Sequence, residues 1–226
     1  MRILVVGSGG REHAVIRKLK EDPAASEIFA APGNGGIGYD AVCVPIAATD
    51  VDAIAEWAAR EKMDYVVVTP DDPLALGLVD KLAQRGIPAF GPTEAAAQIE
   101  ASKAFSKDLM KKYHIPTAAY ETFTDVEKAR AYVEANRTWP LVVKASGLAL
   151  GKGVLICQNK TEALAAVEEM MVGGKFGASG TTVVIEEFLT GPEVSVLSFT
   201  DGKTIVPMVS SMDHKRALDG DQGLNT

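Results

Sequence analysis

Met1-Arg2-Ile3-Leu4-Val5-Val6-Gly7-Ser8-Gly9-Gly10-Arg11-Glu12-His13-Ala14 is the stretch on which the reading of the fold turns. Residues 3–6 are a short, unbroken apolar run, the pattern of a strand covered on both faces. A glycine-rich turn follows, then a helix over residues 11–20 with Ala14, Val15 and Leu19 at helical spacing. Strand, tight glycine turn and helix in that order are the first half of a βαβ unit.

The same rhythm continues downstream. Residues 28–31 read as a second short strand, followed by the turn-rich Pro32-Gly33-Asn34-Gly35-Gly36. Asp52 is expected to cap a helix that carries Ile54, Trp57 and Ala58 on one side. Residues 65–68 form a third buried strand, and residues 74–84 a helix that Gly86 and Pro88 end. Strands alternating with helices predict a doubly wound parallel sheet.

After residue 101 the rhythm changes to an α+β pattern. Ser102 is expected to cap a helix over 103–112, with Phe105 and Leu109 as its inner face, and Pro116 closes the segment. Next come a strand (120–123), a helix (125–136), a strand (141–144), a glycine-rich hairpin loop, a strand (154–157), a helix (161–171) and a strand (182–186). Residues 194–199 and 204–209 read as strands joined by Asp201-Gly202, a strong hairpin dipeptide. The polar, turn-rich stretch 212–226 adds no closing element, as though the chain stopped inside a domain.

Composition narrows the function classes. Lys and Arg number 23 against 30 Asp and Glu, a formal net charge of −7, which argues against a general nucleic-acid or anionic-membrane binder. No apolar run reaches the roughly 18 residues of a membrane span. The N-terminal run is too short and glycine-rich for a signal-peptide core. Cys43 and Cys157 both lie in apolar, strand-like runs and are expected to be reduced core thiols, so a cytoplasmic setting is expected.

Three motifs carry chemistry. In Gly7-Ser8-Gly9-Gly10-Arg11-Glu12-His13 the free amides of a helix start favour an anion. Glu12 stands where a dinucleotide fingerprint has its third glycine, and residues 28–31 end without a ribose-binding acid, which counts against a Rossmann dehydrogenase. A lone phosphate fits better, although the glycines would equally serve a tight turn. Lys144 ends the strand Leu141-Val142-Val143-Lys144, where an ammonium either meets an anion or snorkels to water. The loop Ala145-Ser146-Gly147-Leu148-Ala149-Leu150-Gly151-Lys152-Gly153 lacks Walker A spacing; between antiparallel strands it makes a mobile flap able to cover a polyphosphate. Glu186-Glu187 ends a strand whose alternation turns only one carboxylate towards a pocket beneath that flap. Asp213-His214-Lys215-Arg216 reads as a charged surface turn. No zinc-ligand spacing and no nucleophile elbow occurs.

Taken in order, GSGGREHA (7–14), APGNGGIG (31–38), FGPTEAAAQIEASKAF (90–105), IPTA (115–118), LVVKASGLALGKGV (141–154), VVIEEFLTGPEVS (183–195) and DHKRALDGDQGLNT (213–226) resemble the glycinamide ribonucleotide synthetase (phosphoribosylamine–glycine ligase) family of the ATP-grasp superfamily. The resemblance spans the whole chain. It implies a doubly wound α/β domain at residues 1–101 that binds phosphoribosylamine. The start of an ATP-grasp core would follow at 102–122, an α+β lid at 123–189, and an incomplete first part of the remaining core at 190–226.

It also implies ligation of glycine to 5-phosphoribosylamine with ATP, through glycyl phosphate. Lys103, Lys144, Lys152, Gly151, Gly153 and Lys215 would serve the ATP phosphates and the flap, with Lys144 and Lys215 in the catalytic role. Glu186, Glu187, Phe188 and Leu189 would hold adenine, and Glu193 the ribose. Gly9, Gly10 and Arg11, with Asp213, would meet the phosphoribosylamine. The Mg2+ or Mn2+ ligands of the family would lie beyond residue 226, so this chain alone is expected to lack turnover. The implied partners are small molecules, with no nucleic acid and no membrane, and the chain would be a monomer or weak dimer. Thr69-Pro70-Asp71-Asp72-Pro73 departs from a usual Gly-Pro-Glu-x-Pro, Ser146 from a common Asp, Pro192 from an acid, Met212 from Gln and Leu224 from Pro. The competing readings are a purine-intermediate carboxylase or formyltransferase of the same superfamily, and a non-catalytic nucleotide- or phosphate-binding fragment.

Overall fold

A parallel sheet in the order β3-β2-β1-β4-β5 organises the N-terminal part of the chain. The computed structural model describes residues 1–149, 152–212, 216–220 and 222–225, with the side chains of 216 and 223–225 left aside. Two compact units are present, residues 1–188 and residues 189–226.

In the first unit, β1 (Arg2–Gly7), β2 (Glu27–Pro32), β3 (Val42–Cys43), β4 (Tyr65–Val68) and β5 (Ala89–Phe90) all pair in parallel. The helices between them are α1 (Gly10–Leu19), α2 (Val51–Arg60), α3 (Asp71–Ala75) and α4 (Leu78–Gln84). Leu4 and Val6 contribute to one cluster with Ile54, Ala58, Leu78 and Leu82; Ile3 and Val5 contribute to the other with Ile16 and Ile37. Each fully buried aliphatic side chain contributes roughly 1.5–3 kcal/mol, so a strand apolar at every position holds both layers. The strand order reverses between β1 and β4, and the carboxyl ends of the strands at such a reversal are the usual ligand position of these sheets.

Two further helices follow, α5 (Glu94–Ala101) and α6 (Lys103–Lys112). Next come β6 (Tyr120–Phe123), α7 (Val126–Ala135), β7 (Leu141–Ala145), β8 (Val154–Cys157), α8 (Lys160–Met171) and β9 (Val183–Glu187). These strands form an antiparallel sheet in the order β6-β9-β7-β8. Val143, Ala145, Val183 and Ile185 pack on Ala129, Val133, Ala163 and Val167 of α7 and α8. In the second unit, β10 (Ser198–Thr200) and β11 (Ile205–Pro207) form one hairpin, and β12 (Arg216–Leu218) and β13 (Gln222–Asn225) another.

The mixed α/β architecture, its buried β1 and β4 and the Ser102 cap agree with the sequence; several local expectations need correction. The cap of α2 is Asp50, whose carboxylate accepts from Ala53 N, while Asp52 lies in the first turn and pairs with Lys81. The helix expected over 74–84 is two helices, because Gly77 takes a left-handed φ of +76° with Glu94 against it. Phe105 is exposed; the residue that α6 buries is Lys107. Cys43 is exposed on the two-residue edge strand β3, and only Cys157 is a buried thiol. The strands expected over 194–199 and 204–209 shrink to three residues each, with Val194, Val196 and Leu197 exposed. The polar stretch 212–226, expected as turns, holds the β12–β13 hairpin.

Candidate functional site: two clefts on the first unit

The first candidate site lies at the β1/β4 reversal. Gly7 leaves β1 with φ +127°, and a Cβ there would meet Glu12 Cγ at 2.6 Å, so only glycine fits. The Glu12 carboxylate, 7% exposed, folds back over the turn. Its Oε2 accepts from Gly9 N at 2.7 Å and its Oε1 from Thr69 Oγ1 at 2.7 Å. One helix-start amide is therefore already satisfied from within. Gly9, Gly10 and Arg11 are exposed, and the space where a Gly10 side chain would stand is open.

The second glycine motif braces this loop. Asn34 Nδ2 donates to Ser8 O at 2.7 Å, Gly33 N donates to Gly7 O at 3.1 Å, and Asn34 Oδ1 accepts from Gly36 N and Ile37 N. His13 Nε2 lies 2.8 Å from Asp40 Oδ2, and Lys20 Nζ donates to Asp40 Oδ1 at 2.7 Å. Lys20 and then His13 hold the Asp40 carboxyl down to about 2.

The second cleft lies where α5 and α6 meet β7 and the glycine-rich loop. A cavity of about 270 Å³ is lined by Lys103, Lys107, Lys144, Glu100 and the apolar Ile99 and Met110. A contiguous cavity of about 170 Å³ shares Glu100 and Lys103 and runs on to Asp71, Asp72, Leu148, Ala149, Gly153 and Val154. Lys103, Lys107 and Lys144 thus line the larger cavity, where Glu100 is the one carboxylate, while Asp71 and Asp72 line the smaller.

Local structure explains the convergence. Lys103 and Lys107 are four residues apart on α6 and so share a face. Ser146, at the root of the flap, fixes the start of that helix: its carbonyl accepts from Lys103 N at 2.8 Å and its hydroxyl from Ala104 N at 3.1 Å. Lys103 Nζ donates to Gly147 O at 3.1 Å. On the neighbouring strands Lys144 and Glu186 are diagonal neighbours on one face, Val142 being the register partner of Glu186 and Val184 that of Lys144.

Glu186, 5% exposed, receives Lys144 on Oε1 and Lys107 on Oε2, the latter as an ion pair without hydrogen-bond alignment. Burial, then the neighbouring charges of Lys107 and Lys103, pull the Lys144 ammonium down to about 8. Burial also lowers Lys103 against the pull of Glu100, and lowers Lys107 against that of Glu187.

Lys103, Lys144 and Glu186 are thus brought together, as are the flap residues Gly147 and Gly153. Gly153 is buried, and a Cβ there would meet Ala149 Cβ at 2.7 Å. Lys152 is exposed, with its amide on Ala149 O. Glu187 points the other way, accepting from Ala119 N at 2.9 Å, as strand alternation requires. Phe188 is partly exposed at the end of the first unit; Leu189 and Glu193 belong to the second. Gly151, Asp213 and Lys215 lie outside the described residues. Sequence reasoning missed Lys107, whose signal was its four-residue spacing from Lys103. Among the described residues no group of three or more His, Cys, Asp or Glu is placed to hold a metal ion, and no helix is long and apolar enough to cross a membrane.

A parallel α/β domain followed by an antiparallel sheet with a glycine flap over a lysine-lined cleft defines the ATP-grasp class of protein. Residues 1–100 match the phosphoribosylglycinamide synthetase N domain and residues 101–226 the ATP-grasp (A) domain of the same synthetase. The chain belongs to the phosphoribosylglycinamide synthetase family. It is 50% identical over its whole length to the phosphoribosylamine–glycine ligase of Allochromatium vinosum, covering 53% of it, and 46% identical to that of Halalkalibacterium halodurans, again covering 53%. The crystal structure of phosphoribosylamine–glycine ligase from Thermotoga maritima superposes with a TM-score of 0.82 at 33% identity, over 100% of this chain and 54% of that one. The chain spans about half the length of these relatives.

Proposed function

We propose that this chain supplies the phosphoribosylamine-binding domain and part of the ATP site of a ligase that joins glycine to 5-phosphoribosylamine, yielding glycinamide ribonucleotide, ADP and phosphate. The observation that carries the reading is the meeting of Lys103, Lys107 and Lys144 in one cleft beside the glycine-rich loop, within a chain of this family. Phosphoryl transfer asks for positioning and charge neutralisation more than for a protein nucleophile, and three ammonium groups answer that need.

In this reading Lys144 and Lys103 draw the polyphosphate of ATP into the cleft, and the loop rooted at Ser146 and Gly147 closes over it. The glycine carboxylate takes the γ-phosphoryl group, and the amine of phosphoribosylamine then displaces phosphate from the glycyl phosphate. A closed flap keeps water from that acyl phosphate. Glu186 to Leu189 and Glu193 would serve adenine and ribose, and Lys152, Lys215 and Gly151 the closing loop and triphosphate. At the first candidate site, the exposed amides of Gly10 and Arg11 and the Arg11 side chain receive the sugar phosphate. In domain terms, 1–101 holds phosphoribosylamine, 123–189 acts as the lid, and 102–122 and 190–226 belong to the core. The metal that would neutralise the γ-phosphate, Mg2+ or Mn2+, finds no ligand cluster among the described residues.

The test is phosphate release by the full-length protein. It should require ATP, glycine and phosphoribosylamine together. Release that proceeds equally well without glycine, or that bicarbonate or formate supports in its place, would overturn the assignment.

A further inference from the structure

Lys107 is a lysine that the reaction as proposed does not need for phosphate contact. It is 7% exposed, and its Nζ donates to Thr117 Oγ1 at 2.7 Å and lies 3.4 Å from Ala118 O while facing Glu186 Oε2. The Tyr120 ring centroid lies 5.4 Å from it. Burying an ammonium this deeply is costly unless the oxygens around it return something. Lys144, by contrast, meets the same carboxylate on Oε1 and keeps a quarter of its side chain exposed.

One buried carboxylate is therefore shared by two ammonium groups, one anchored and one at the edge of the cleft. A private Lys144–Glu186 pair would be neutral and would hold Lys144 back from an incoming anion. Sharing leaves the trio with a net positive charge and divides the pull of the carboxylate. We propose that Lys107 is a positioning residue: anchored by Thr117 and Ala118, it occupies Oε2 of Glu186 and so leaves Lys144 charged but releasable to a polyphosphate. The inference rests on the ATP reading for the identity of that polyphosphate, while the coupling of Lys107 to Lys144 stands on the geometry alone. The charged groups around the trio are Lys103 on α6 and Glu100 on α5, with Tyr120 on β6 over Lys107; Glu187, on the opposite face of β9, acts on Lys107 through its charge alone.

Two readouts on the full-length protein separate the layers. Acetylation of Lys144 with acetic anhydride, followed by mass spectrometry across pH without nucleotide, reports its titration. In Lys107→Met the loss of a neighbouring positive charge should move the midpoint upward from about 8, and Lys107→Arg should restore it. ATP binding measured by calorimetry should weaken about tenfold in Lys107→Met, the size of one charged hydrogen-bonding partner, and recover in Lys107→Arg. Should Lys107→Met fail to fold, Thr117→Val removes one anchor and should shift both readouts in the same direction. An unmoved Lys144 midpoint together with unchanged ATP affinity overturns the proposal. A wild-type protein that binds no ATP overturns the ATP reading, and the nucleotide-free titration then decides the coupling by itself.

Discussion

Thr69 Oγ1 donates to Glu12 Oε1 at 2.7 Å, across the point where the parallel sheet reverses its strand order. The bond ties the first turn of α1 to the loop after β4, and the other oxygen of the same carboxylate holds the Gly9 amide. Thr69, where the family resemblance leads one to expect glycine, thus brings a donor that glycine lacks.

Thr69→Val should therefore leave a buried carboxylate oxygen without its donor. The expected cost is about 1–3 kcal/mol of stability, read by urea unfolding, with Thr69→Ser near wild type. Equal stability of the Val and Ser variants would contradict the role.

Ser146 holds the start of α6 through Ala104 N. Ser146→Ala should cost about 1 kcal/mol as a lost hydrogen bond to the first turn of α6, whose own cap is Ser102. It should also weaken ATP binding, because Lys103 rides on that first turn. Lost stability with unchanged ATP affinity would show that this bond does not position Lys103.

Gly147 has no room for a side chain. A Cβ would stand 2.5 Å from Ser179 Oγ and 2.8 Å from Ser179 Cα, the latter backbone that cannot swing aside. Gly147→Ala should displace the root of the flap and lower ATP affinity, whereas Gly10→Ala meets open space and should fold as wild type. Thermal melting and ATP titration of both variants check the pair.

Asp40 gives a pH signature. Its carboxyl is lowered from 3.8 to about 2 by Lys20 and His13, so its contribution to stability is complete above the unfolded value and disappears as pH falls through the folded one. Acid unfolding followed from pH 4 to pH 2 should lose this component in Asp40→Asn. Carbon NMR of the carboxyl should give a midpoint near 2; a midpoint at the ordinary value would contradict the cluster.

Much of this architecture is legible in the sequence, for identifiable reasons. The apolar runs at β1 and β4, the Ser102 cap and the strand ending at Lys144 each follow from a local pattern that packing then reinforces. The failures lie where a tertiary partner decides. Asp50 and Asp52 flank the same helix start, and only the bond to Ala53 N separates them. Gly77 looks like a tolerated helix glycine until Glu94 is brought against it. Periodicity put Phe105 inside α6, but the cleft it borders buries Lys107, because the carboxylate that compensates that charge comes from a strand 79 residues away. The apolar runs at 194–199 and 204–209 read as six-residue strands, although only 198–200 and 205–207 pair.

The most direct test is a crystal structure of the full-length protein with a non-hydrolysable ATP analogue. The triphosphate should lie in the cleft lined by Lys103, Lys107 and Lys144, with the Lys144 ammonium moved from Glu186 onto a phosphate oxygen and Lys107 still at Glu186. A triphosphate bound elsewhere, with the Lys144–Glu186 pair intact, would contradict the account.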